Sequence, residues 1–377
     1  MQKIAIVGTG YVADFYMRSL EVFPHIEVAC AFDRDQARLK QFCDFWKVKP
    51  VGSLVELLDP ANGVTLVLNL TNPSSHYEVS KACLEAEKHV YSEKPLAMEM
   101  PQAQQLCDLA ESKGLMLGSA PCSFLGEAAQ TMWYALREGR IGKPCLVYAE
   151  IDDDFVSQAP NEKWISESGA PWPTRDEFLV GCTLEHAGYY LGWLLMMFGS
   201  VTKVIAASAE LVEDKLGDGT PTAPDFSTAS LFFESGMVAR LTCSIIAPHN
   251  HAIRVYGEGG ILEVDECWDN TAPVRVRRRY PLRRKLINSF FTKRVKLPGS
   301  THPKVRWRGA AAMNFALGPA EMLAAIADDR QSRVNAEFAL HANEVVLAIH
   351  NAGDTGGVQR MQTRMTELEP MAWAKPV

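Results

Sequence analysis

A lysine at the end of a short apolar run is the first candidate for chemistry in this sequence. Glu93-Lys94-Pro95 follows the run His89–Tyr91, and the proline restrains the backbone of Lys94 to an extended conformation. An ammonium group held in this way could point at an oxygen atom of a bound substrate. The alternative is a lysine that is merely solvated where a loop begins.

Three side chains spaced four residues apart form a second candidate group. Cys182, His186 and Tyr190 would line one face of a helix, and an imidazole beside a phenol suits proton relay near neutral pH. The alternative is a polar patch on a helix packed against a sheet, with His186 a hydrogen-bonded core residue. No further ligand accompanies a Cys182–His186 zinc pair. Because His249 and His251 are expected in a solvated loop, the sequence predicts no metal site.

A glycine-rich turn precedes the first predicted helix. In Gly8-Thr9-Gly10-Tyr11-Val12-Ala13, the glycines allow a tight turn, and the helix amino terminus favours the negative charge of a pyrophosphate. Asp33 ends the next predicted strand, twenty positions beyond Ala13, and is placed to accept the ribose hydroxyls. Arg34 could meet a 2′-phosphate or be solvated. An acid at this position repels that phosphate, so NAD is favoured as the cofactor, with NADP possible.

The first ~120 residues alternate short apolar runs with helical patterns, which indicates a parallel sheet with crossover helices. Strands are predicted at Lys3–Val7, Glu27–Phe32, Val64–Leu70, His89–Tyr91 and Leu115–Ser119, and helices at Tyr11–Glu21, Gln36–Trp46, Tyr77–Glu87 and Met100–Lys113. Ligands of such sheets bind beyond the carboxyl ends of the strands. Thr71-Asn72-Pro73 and Glu93-Lys94-Pro95 should therefore face the same side as the glycine turn.

The pattern then changes to alternating segments with tight turns, typical of a mostly antiparallel sheet. These segments are Cys145–Ile151, Thr202–Val212, Thr228–Glu234, Met237–Ile246 and Ala252–Val264, with helices at Glu127–Glu138, Glu321–Asp328 and Ala336–His350. The predicted fold is α/β: a Rossmann dinucleotide-binding domain over residues 1–122, then an α+β domain with a mostly antiparallel open sheet over 123–355. A polar tail follows over 356–377.

Composition limits the class of protein. At 377 residues two domains are expected, and 47% hydrophobic with 22% charged residues is typical of a globular protein. No run is long and apolar enough to cross a bilayer, and no signal peptide is apparent. Nine scattered cysteines suit reduced thiols in a cytoplasm, and a net charge of −7 argues against nucleic-acid binding.

A basic stretch over residues 275–296 interrupts this acidic chain. It carries ten lysines and arginines without an acid, around the apolar segment Leu286-Ile287-Asn288-Ser289-Phe290-Phe291. Such a stretch could hold a phosphate-bearing sugar, an anionic membrane surface or an acidic partner. The alternative is a solvated insertion at the edge of the sheet.

Four stretches together resemble the glucose–fructose oxidoreductase and inositol dehydrogenase (Gfo/Idh/MocA) family. They are Gly8–Ala13, Thr71-Asn72-Pro73-x-x-His76, the approach Glu85–Val90, and Glu93-Lys94-Pro95. Their order and spacing, with the change to an antiparallel second domain, agree with that family over nearly the whole chain. The resemblance implies that Lys94 contacts substrate and nicotinamide ribose, and it adds Thr71, Asn72, His76 and Glu93 to the candidate cofactor-binding residues.

The family's second motif, G-G-x-L-x-D-x-G-x-H, is altered in this chain. In the matching stretch over residues 181–190, Cys182 replaces a glycine, His186 the aspartate and Tyr190 the histidine. Some sugar and dihydrodiol dehydrogenases of the family carry tyrosine at the last position, so the resemblance implies an acid/base role for Tyr190, with His186 orienting the substrate or passing the proton onward.

The function expected from these residues is hydride transfer between NAD(P) and a hydroxyl-bearing carbon of a sugar, sugar derivative or cyclitol, by a homodimer or homotetramer formed through the C-terminal sheet. Two alternatives stay open. One is transient oxidation that enables elimination or epimerisation of a sugar, and the other is a non-enzymatic dinucleotide sensor.

Overall fold

The computed structural model describes residues 1–299, 301, 303–305 and 312–375. Parts of the predicted second domain and the last two residues of the predicted tail therefore lie outside the described residues.

The first half of the chain forms a parallel sheet covered by helices. Its strands are β1 (Gln2–Val7), β2 (Ile26–Phe32), β3 (Leu66–Asn69), β4 (His89–Ser92) and β5 (Leu117–Ser119), and its helices are α1 (Tyr11–Leu20), α2 (Gln36–Trp46), α3 (Leu54–Leu58), α4 (His76–Glu85) and α5 (Met100–Ser112). The strand order is β2-β1-β3-β4-β5, and every pair is parallel. Strand β3 is buried along its whole length, because helices cover both faces. The predicted Rossmann architecture is confirmed.

The order of these strands fixes where a ligand can bind. From the central strand β1 the chain moves to β2 on one side, and β3 then pairs with β1 on the other side. In open α/β sheets the crevice at such a reversal, beyond the carboxyl ends of the strands, is the ligand site. The loops after β1, β3 and β4 all open at this edge.

The second half forms a larger sheet with helices on one side. Its strands are β6 (Pro144–Phe155), β7 (Val201–Ala209), β8 (Phe226–Phe233), β9 (Val238–Ser244), β10 (Ile246–Asn250), β11 (Ile253–Gly257), β12 (Gly260–Val264), β13 (Arg275–Leu282), β14 (Lys285–Asn288), β15 (Lys293–Arg294) and β16 (Val358–Arg360), and its first helices are α6 (Glu127–Arg137), α7 (Thr174–Val180), α8 (Cys182–His186) and α9 (Gly188–Phe198). The main path is β14-β13-β12-β11-β6-β9-β8-β7-β16. Only β6 and β9 are parallel among the described pairs of this sheet, which confirms the mostly antiparallel prediction.

Helix α9 is apolar around most of its circumference. Trp193, Leu194 and Leu195 have no exposed surface, so the helix lies inside the domain core rather than on its surface. Its eleven residues extend only about 16 Å, half the thickness of a bilayer core. Within the ranges given above, no helix combines the length and apolarity that a membrane span requires.

The basic stretch forms the edge of the second sheet. Strand β13 pairs with β12 on one side and with β14 and β15 on the other. Arg275 and Arg277 form ion pairs with Asp265 (2.6 Å) and Glu263 (3.1 Å). Phe290 and Phe291 are 88% and 79% exposed. This placement matches the insertion at a sheet edge that the sequence suggested as one alternative.

Two C-terminal helices return to the first domain. Helix α10 (Leu317–Ala327) contacts β3 and β5, and α11 (Ala336–His350) contacts β5 and α5 on one side and β7 on the other. The amide nitrogen of Phe315 donates to Ser19 Oγ (2.9 Å), and Gln2 Nε2 donates to the Leu323 carbonyl (2.9 Å). Helices α10 and α11, which the sequence assigned to the second domain, thus complete the packing of the first domain.

The segment expected to be a tail is bound to the second domain. Strand β16 pairs with β7, and Arg333 donates to the carbonyls of Glu369 (2.7 Å) and Pro370 (2.9 Å). The described part of the tail is therefore integrated by backbone and side-chain hydrogen bonds, which its polar composition did not indicate.

A buried histidine on α11 gives the fold a pH dependence. His341 accepts a hydrogen bond from the Val201 amide (2.9 Å) and has no exposed surface, and burial lowers its pKa to about 4. The folded pKa lies below the unfolded value of ~6.5, so this contribution to stability is complete above about pH 6.5 and is lost as the pH falls toward 4.

We expect the free energy of unfolding of the native chain to fall by ~2 kcal/mol more between about pH 7.5 and pH 5 than that of His341→Gln. Denaturant titrations at both pH values measure this. The exposed His25 supplies the control His25→Gln, which should keep the full pH dependence. Equal pH dependence in His341→Gln and native protein would contradict the prediction.

Candidate active site

The glycine turn after β1 leaves space at the start of α1. Gly8 has a φ of +92°, and a Cβ at this position would come within 2.6 Å of the Leu70 carbonyl oxygen, so only glycine fits. A Cβ at Gly10, the N-cap of α1, would meet no atom within 4 Å. The turn thus combines open space with the positive end of a helix, an arrangement that accommodates a phosphate.

Asp33 at the end of β2 braces this turn. Its Oδ2 accepts hydrogen bonds from the amide (2.8 Å) and hydroxyl (3.0 Å) of Thr9, and its Oδ1 accepts one from the Asp35 amide (2.9 Å). Arg34 is exposed, while Arg38 Nε lies 3.4 Å from Asp33 Oδ2. The acid predicted to meet the ribose therefore stands beside the turn, with Arg34 next to it in the chain and Arg38 beside its carboxylate. Tyr11 and Val12, the other predicted contacts in the turn, are half-buried in the first turn of α1.

His76 ties together the loops after β3 and β4. Its Nε2 lies 2.9 Å from the Thr71 carbonyl and its Nδ1 2.7 Å from the Pro95 carbonyl, and its ring has no exposed surface. Burial lowers the pKa of His76. The ring thus holds the two loops in a fixed relation, while half-buried Thr71 and Asn72 stay beside the crevice.

Lys94 forms an ion pair with Glu185, a residue of the other domain. Its Nζ contacts Oε2 of Glu185, and the two side chains are only 17% and 14% exposed. Burial alone lowers the pKa of Lys94, but the charge of Glu185, with smaller contributions from Tyr189 and Glu93, raises it above its usual range. Burial, with the Glu177 carboxylate, raises the pKa of Glu185 against the opposing effect of Lys94. The ammonium is thereby kept charged and aimed across the interdomain cleft.

A small cavity opens beside Glu93, the residue that precedes Lys94. Its walls include Glu93, Tyr189 and Phe315, together with Tyr16, Tyr91, Ala120, Pro121, Cys122 and Met313. Tyr16 donates a hydrogen bond to Glu93 Oε1 (2.6 Å), so the neighbour of Lys94 is held by a buried phenol. Burial raises the pKa of Tyr189, and the charge of Lys94 partly opposes this.

His186 lies between two carboxylates. Its Nε2 is 2.8 Å from Glu177 Oε1, and its Nδ1 is 2.7 Å from Asp153 Oδ2, although the second contact lacks hydrogen-bond geometry. Burial alone lowers the pKa of His186, but the charges of Glu177 and Asp153 raise it well above its usual range. His186 follows Glu185 directly, so the carboxylates that hold it lie next to the Lys94 pair.

Cys182, His186 and Tyr190 have different surroundings. Cys182 and His186 are the first and last residues of α8, and Tyr190 lies in α9, which begins at Gly188. Cys182 Sγ contacts the Cys243 carbonyl (3.7 Å), and the fully buried Tyr190 donates its hydroxyl hydrogen bond to the His251 carbonyl. The acid/base role of Tyr190 stays a prediction, but its hydroxyl already has a partner in the core.

His249 and His251 differ from the solvated loop that the sequence suggested. The His249 side chain is 43% exposed, but that of His251 is fully buried, because it lies between Asp153 and Glu266 (both 2.9 Å). Both histidines approach Asp153, the carboxylate that also contacts His186.

Sequence reasoning missed several residues of this site. Glu185 and Tyr189 lie within the altered second motif, but the family pattern directed attention to His186 and Tyr190 beside them. Asp153 lies well before that motif and Glu177 just ahead of it, and both meet His186 only in the fold. The run Asp152-Asp153-Asp154 at the end of a long strand was the one available signal, since carboxylates there are unusual.

Comparison with known proteins agrees with this architecture. Residues 2–120 match a profile described as an oxidoreductase family with an NAD-binding Rossmann fold, and residues 129–263 match a GFO/IDH/MocA C-terminal domain. An uncharacterised oxidoreductase of Schizosaccharomyces pombe is 35% identical over 54% of this chain and 53% of its own length, so this match spans about half of that protein. The trans-1,2-dihydrobenzene-1,2-diol dehydrogenase of Bos taurus is 24% identical over 71% of this chain and 75% of its own.

A solved structure supports the fold. The WlbA dehydrogenase of Bordetella pertussis, in complex with NADH and UDP-GlcNAcA, superposes with a TM-score of 0.73 at 18% identity, covering 96% of this chain and 97% of its own. At this identity the likeness concerns the fold alone. The two matched domains and the shared architecture together place this chain in the Gfo/Idh/MocA family of oxidoreductases, with an NAD-binding Rossmann fold as its first domain.

Proposed function

We propose that this protein transfers a hydride between NAD(H) and a hydroxyl-bearing carbon of a sugar-like, polyhydroxylated small molecule. The observation that carries the proposal is the buried Lys94–Glu185 ion pair. It places a permanent positive charge beyond the carboxyl end of β4, at the sheet edge where the glycine turn opens and beside the phenol of Tyr189.

The crevice has the features that a dinucleotide needs. The open space at Gly10 and the start of α1, with Tyr11 and Val12 in its first turn, would hold the pyrophosphate, and Asp33 would accept the ribose hydroxyls. Thr71, Asn72 and Glu93, in the loops after β3 and β4, would contact the nicotinamide end of the cofactor. The bound nicotinamide ring supplies the acceptor or donor of the hydride, and the residues of this chain handle charge and protons.

Lys94 stabilises the substrate oxygen. Removing a hydride from the carbon and a proton from its hydroxyl yields a carbonyl group, and negative charge develops on the oxygen between these states. A fixed ammonium in a water-poor cleft stabilises that charge most where it is largest, in the transition state. An ammonium has three donors, so Lys94 can keep Glu185 as a partner while it binds the substrate oxygen.

Tyr189 exchanges the proton with that oxygen. It lines the cavity beside Glu93 and interacts electrostatically with Lys94, whereas the hydroxyl of Tyr190 is committed to the His251 carbonyl. We therefore assign to Tyr189 the acid/base role that the family pattern suggests for Tyr190. The charges of Glu177 and Asp153 raise the pKa of His186 well above its usual range, which favours the protonated ring over a base, and we assign it the role of positioning Asp153, Glu177 and the substrate.

The test is direct transfer of the carbinol hydrogen. The purified protein is incubated with NAD+ and a panel of aldoses, uronic acids, amino sugars and cyclitols, and reduced cofactor is monitored by absorbance. Each active compound is then deuterated at the carbon that is oxidised. Mass spectrometry should find this deuterium in the reduced cofactor. Binding of NAD+ without reduction by any compound, including ligands recovered from the purified protein, would contradict the proposal and favour a dinucleotide sensor.

We expect Asp33→Asn to raise the ratio of NADP to NAD affinity by about tenfold, which corresponds to ~1.4 kcal/mol. The change removes the negative charge that repels a 2′-phosphate and leaves Arg34 and Arg38 to attract it. Calorimetric titration of both cofactors measures the ratio. Asp44→Asn, near the opposite end of α2, is the matched control and should change the ratio little. Tighter NADP than NAD binding by the native protein would overturn the argument from Asp33.

The second sheet offers a surface for the expected homo-oligomer. Ile205 and Val358 are direct partners on β7 and β16, and both are exposed, at 41% and 57%. Light scattering of the purified protein measures the oligomer, and a monomer at all concentrations would contradict this expectation.

A further inference from the structure

We propose that Asp153, His249 and His251 bind a divalent transition-metal cation, with Glu266 orienting both histidines. Asp153 lies on β6 and His249 on β10, while His251 follows β10 and Glu266 follows β12. The ligand atoms of the three proposed ligands all lie within 4.8 Å of one another. The inference revises the sequence prediction of no metal site, and it does not depend on the proposed hydride transfer.

The distances within the cluster match those around a metal ion. Asp153 Oδ1 lies 2.9 Å from His251 Nε2 and 3.8 Å from His249 Nδ1. Ligand atoms that bind a tetrahedral ion at about 2.0–2.1 Å lie about 3.3 Å from each other. The two observed distances bracket that value, and the distance between the two histidine nitrogens is at most 4.8 Å.

Glu266 supplies the outer contacts that ligating histidines usually have. Its Oε1 lies 2.9 Å from His251 Nδ1, and its Oε2 lies 3.2 Å from His249 Nε2. Histidines that bind metals commonly donate their second N–H to a carboxylate, which fixes the tautomer and the ring orientation. Here the Glu266 carboxylate can accept a hydrogen bond from both histidine rings. The remaining ring nitrogens, His251 Nε2 and His249 Nδ1, are the two that face Asp153.

This arrangement presents several acceptor atoms to a cation at its centre. If both histidines donate to Glu266, then His251 Nε2, His249 Nδ1 and Asp153 Oδ1 are three acceptors that converge on one point. A proton on one ring satisfies only one of these contacts, and two protonated rings with centroids 4.1 Å apart would repel each other. Asp153 Oδ2 is buried and accepts no hydrogen bond from the described residues.

The ligand set indicates the class of ion. Two imidazole nitrogens and one carboxylate oxygen suit Zn²⁺, Fe²⁺, Co²⁺ or Ni²⁺, whereas Mg²⁺ and Ca²⁺ prefer oxygen ligands alone. Three protein ligands leave at least one coordination position for water or another small ligand. The Nδ1 of His186 lies 2.7 Å from the second oxygen of Asp153, so the ion would be separated from the Lys94–Glu185 pair by little more than His186.

A second set of ligands shares His251 with the proposed one. His251, Glu266 and Cys267 also lie close together, and a thiolate would bind zinc well. In this second set, His249 and Asp153 would not bind the ion. Glu266 would bind the ion itself and would no longer orient the two histidines. We therefore favour the first set, and the cysteine provides a test between them.

The experiment uses the full chain after removal of metal by a chelator. Titration with Co²⁺ should give visible d–d absorption bands that saturate at one equivalent, and Zn²⁺ should displace the cobalt while Mg²⁺ should not. His249→Gln removes one ligand and should weaken Co²⁺ and Zn²⁺ binding by at least ~100-fold, whereas Glu266→Gln should weaken it by about 10- to 100-fold. Because His249 is 43% exposed, its variant should fold normally, which circular dichroism verifies.

Two further variants complete the design. His25→Gln changes an exposed histidine elsewhere and should leave metal binding unaltered, as should Cys267→Ala. Absence of cobalt bands in the native protein, or unchanged binding in His249→Gln, would mean that the cluster is an ion-pair network only. Loss of binding in Cys267→Ala with retention in His249→Gln would assign the ion to the thiolate set. Either result would overturn the proposal.

Discussion

Replacing Lys94 by methionine should lower kcat by about 10²–10³ while the Kd for NAD changes by less than about threefold. The side chain keeps most of its volume but loses the charge that stabilises the developing oxyanion, and this interaction is made mainly in the transition state. Steady-state kinetics with a true substrate, together with calorimetric titration of NAD, separate the two quantities.

The partner of Lys94 has to be considered in this experiment. Lys94→Met leaves the Glu185 carboxylate buried without its ion pair, which can cost 3–5 kcal/mol of stability. The double variant Lys94→Met/Glu185→Gln removes that buried charge, so it should recover stability but not turnover. Lys88→Ala, at the opposite end of β4, is the control for loss of a lysine. Near-native turnover in the stable double variant would show that Lys94 has only a structural role.

Removing the phenol hydroxyl of Tyr189 should reduce kcat by about 10²–10⁴, the usual contribution of a general acid or base. The KM should change much less, since the proton is transferred only during reaction. Tyr189→Phe keeps the ring that forms an edge contact with Trp268 (centroids 6.0 Å apart), so the cavity wall should persist. Turnover and KM with one substrate, measured across pH, provide the comparison.

The adjacent residue supplies a matched control. Tyr190→Phe removes the hydrogen bond to the His251 carbonyl and leaves that buried acceptor without its partner, which should cost about 1–3 kcal/mol of stability. Its kcat should stay within a few-fold of the native value. If Tyr190→Phe loses turnover and Tyr189→Phe does not, the family pattern was the better guide and Tyr190 is the acid/base.

Local sequence signals were sufficient for much of the fold. The predicted bounds of Gln36–Trp46 and Ala336–His350 coincide with α2 and α11, because a clear N-cap precedes each helix: Asp35 caps the first and Asn335 the second. Helices α7 to α9 were harder to predict. The break at Ala187 between two helical segments carries no proline, so a regular spacing of four residues suggested one continuous face.

The site was predictable only where its residues belong to a contiguous motif. Lys94 stood out because a strand and a proline flank it. Its partner Glu185 lies 91 residues away in the other domain, and no local pattern encodes such a pairing. The burial of His251 depends on Asp153 and Glu266, which approach it from different strands, so its environment could not be inferred from the loop in which it lies.

The return of α10 and α11 to the first sheet affects how the chain folds on the ribosome. Strand β5 ends at Ser119, but a helix that packs against it begins only at Leu317, and a Cβ at Gly118 would lie within 3.0 Å of Met322 and Val334 atoms. At 5–20 residues per second, synthesis of the intervening ~200 residues takes roughly 10–40 s. During that interval the nascent Rossmann sheet lacks α10 and α11, which pack against it in the native structure. We therefore expect the first domain to complete its packing only after these two helices have been synthesised.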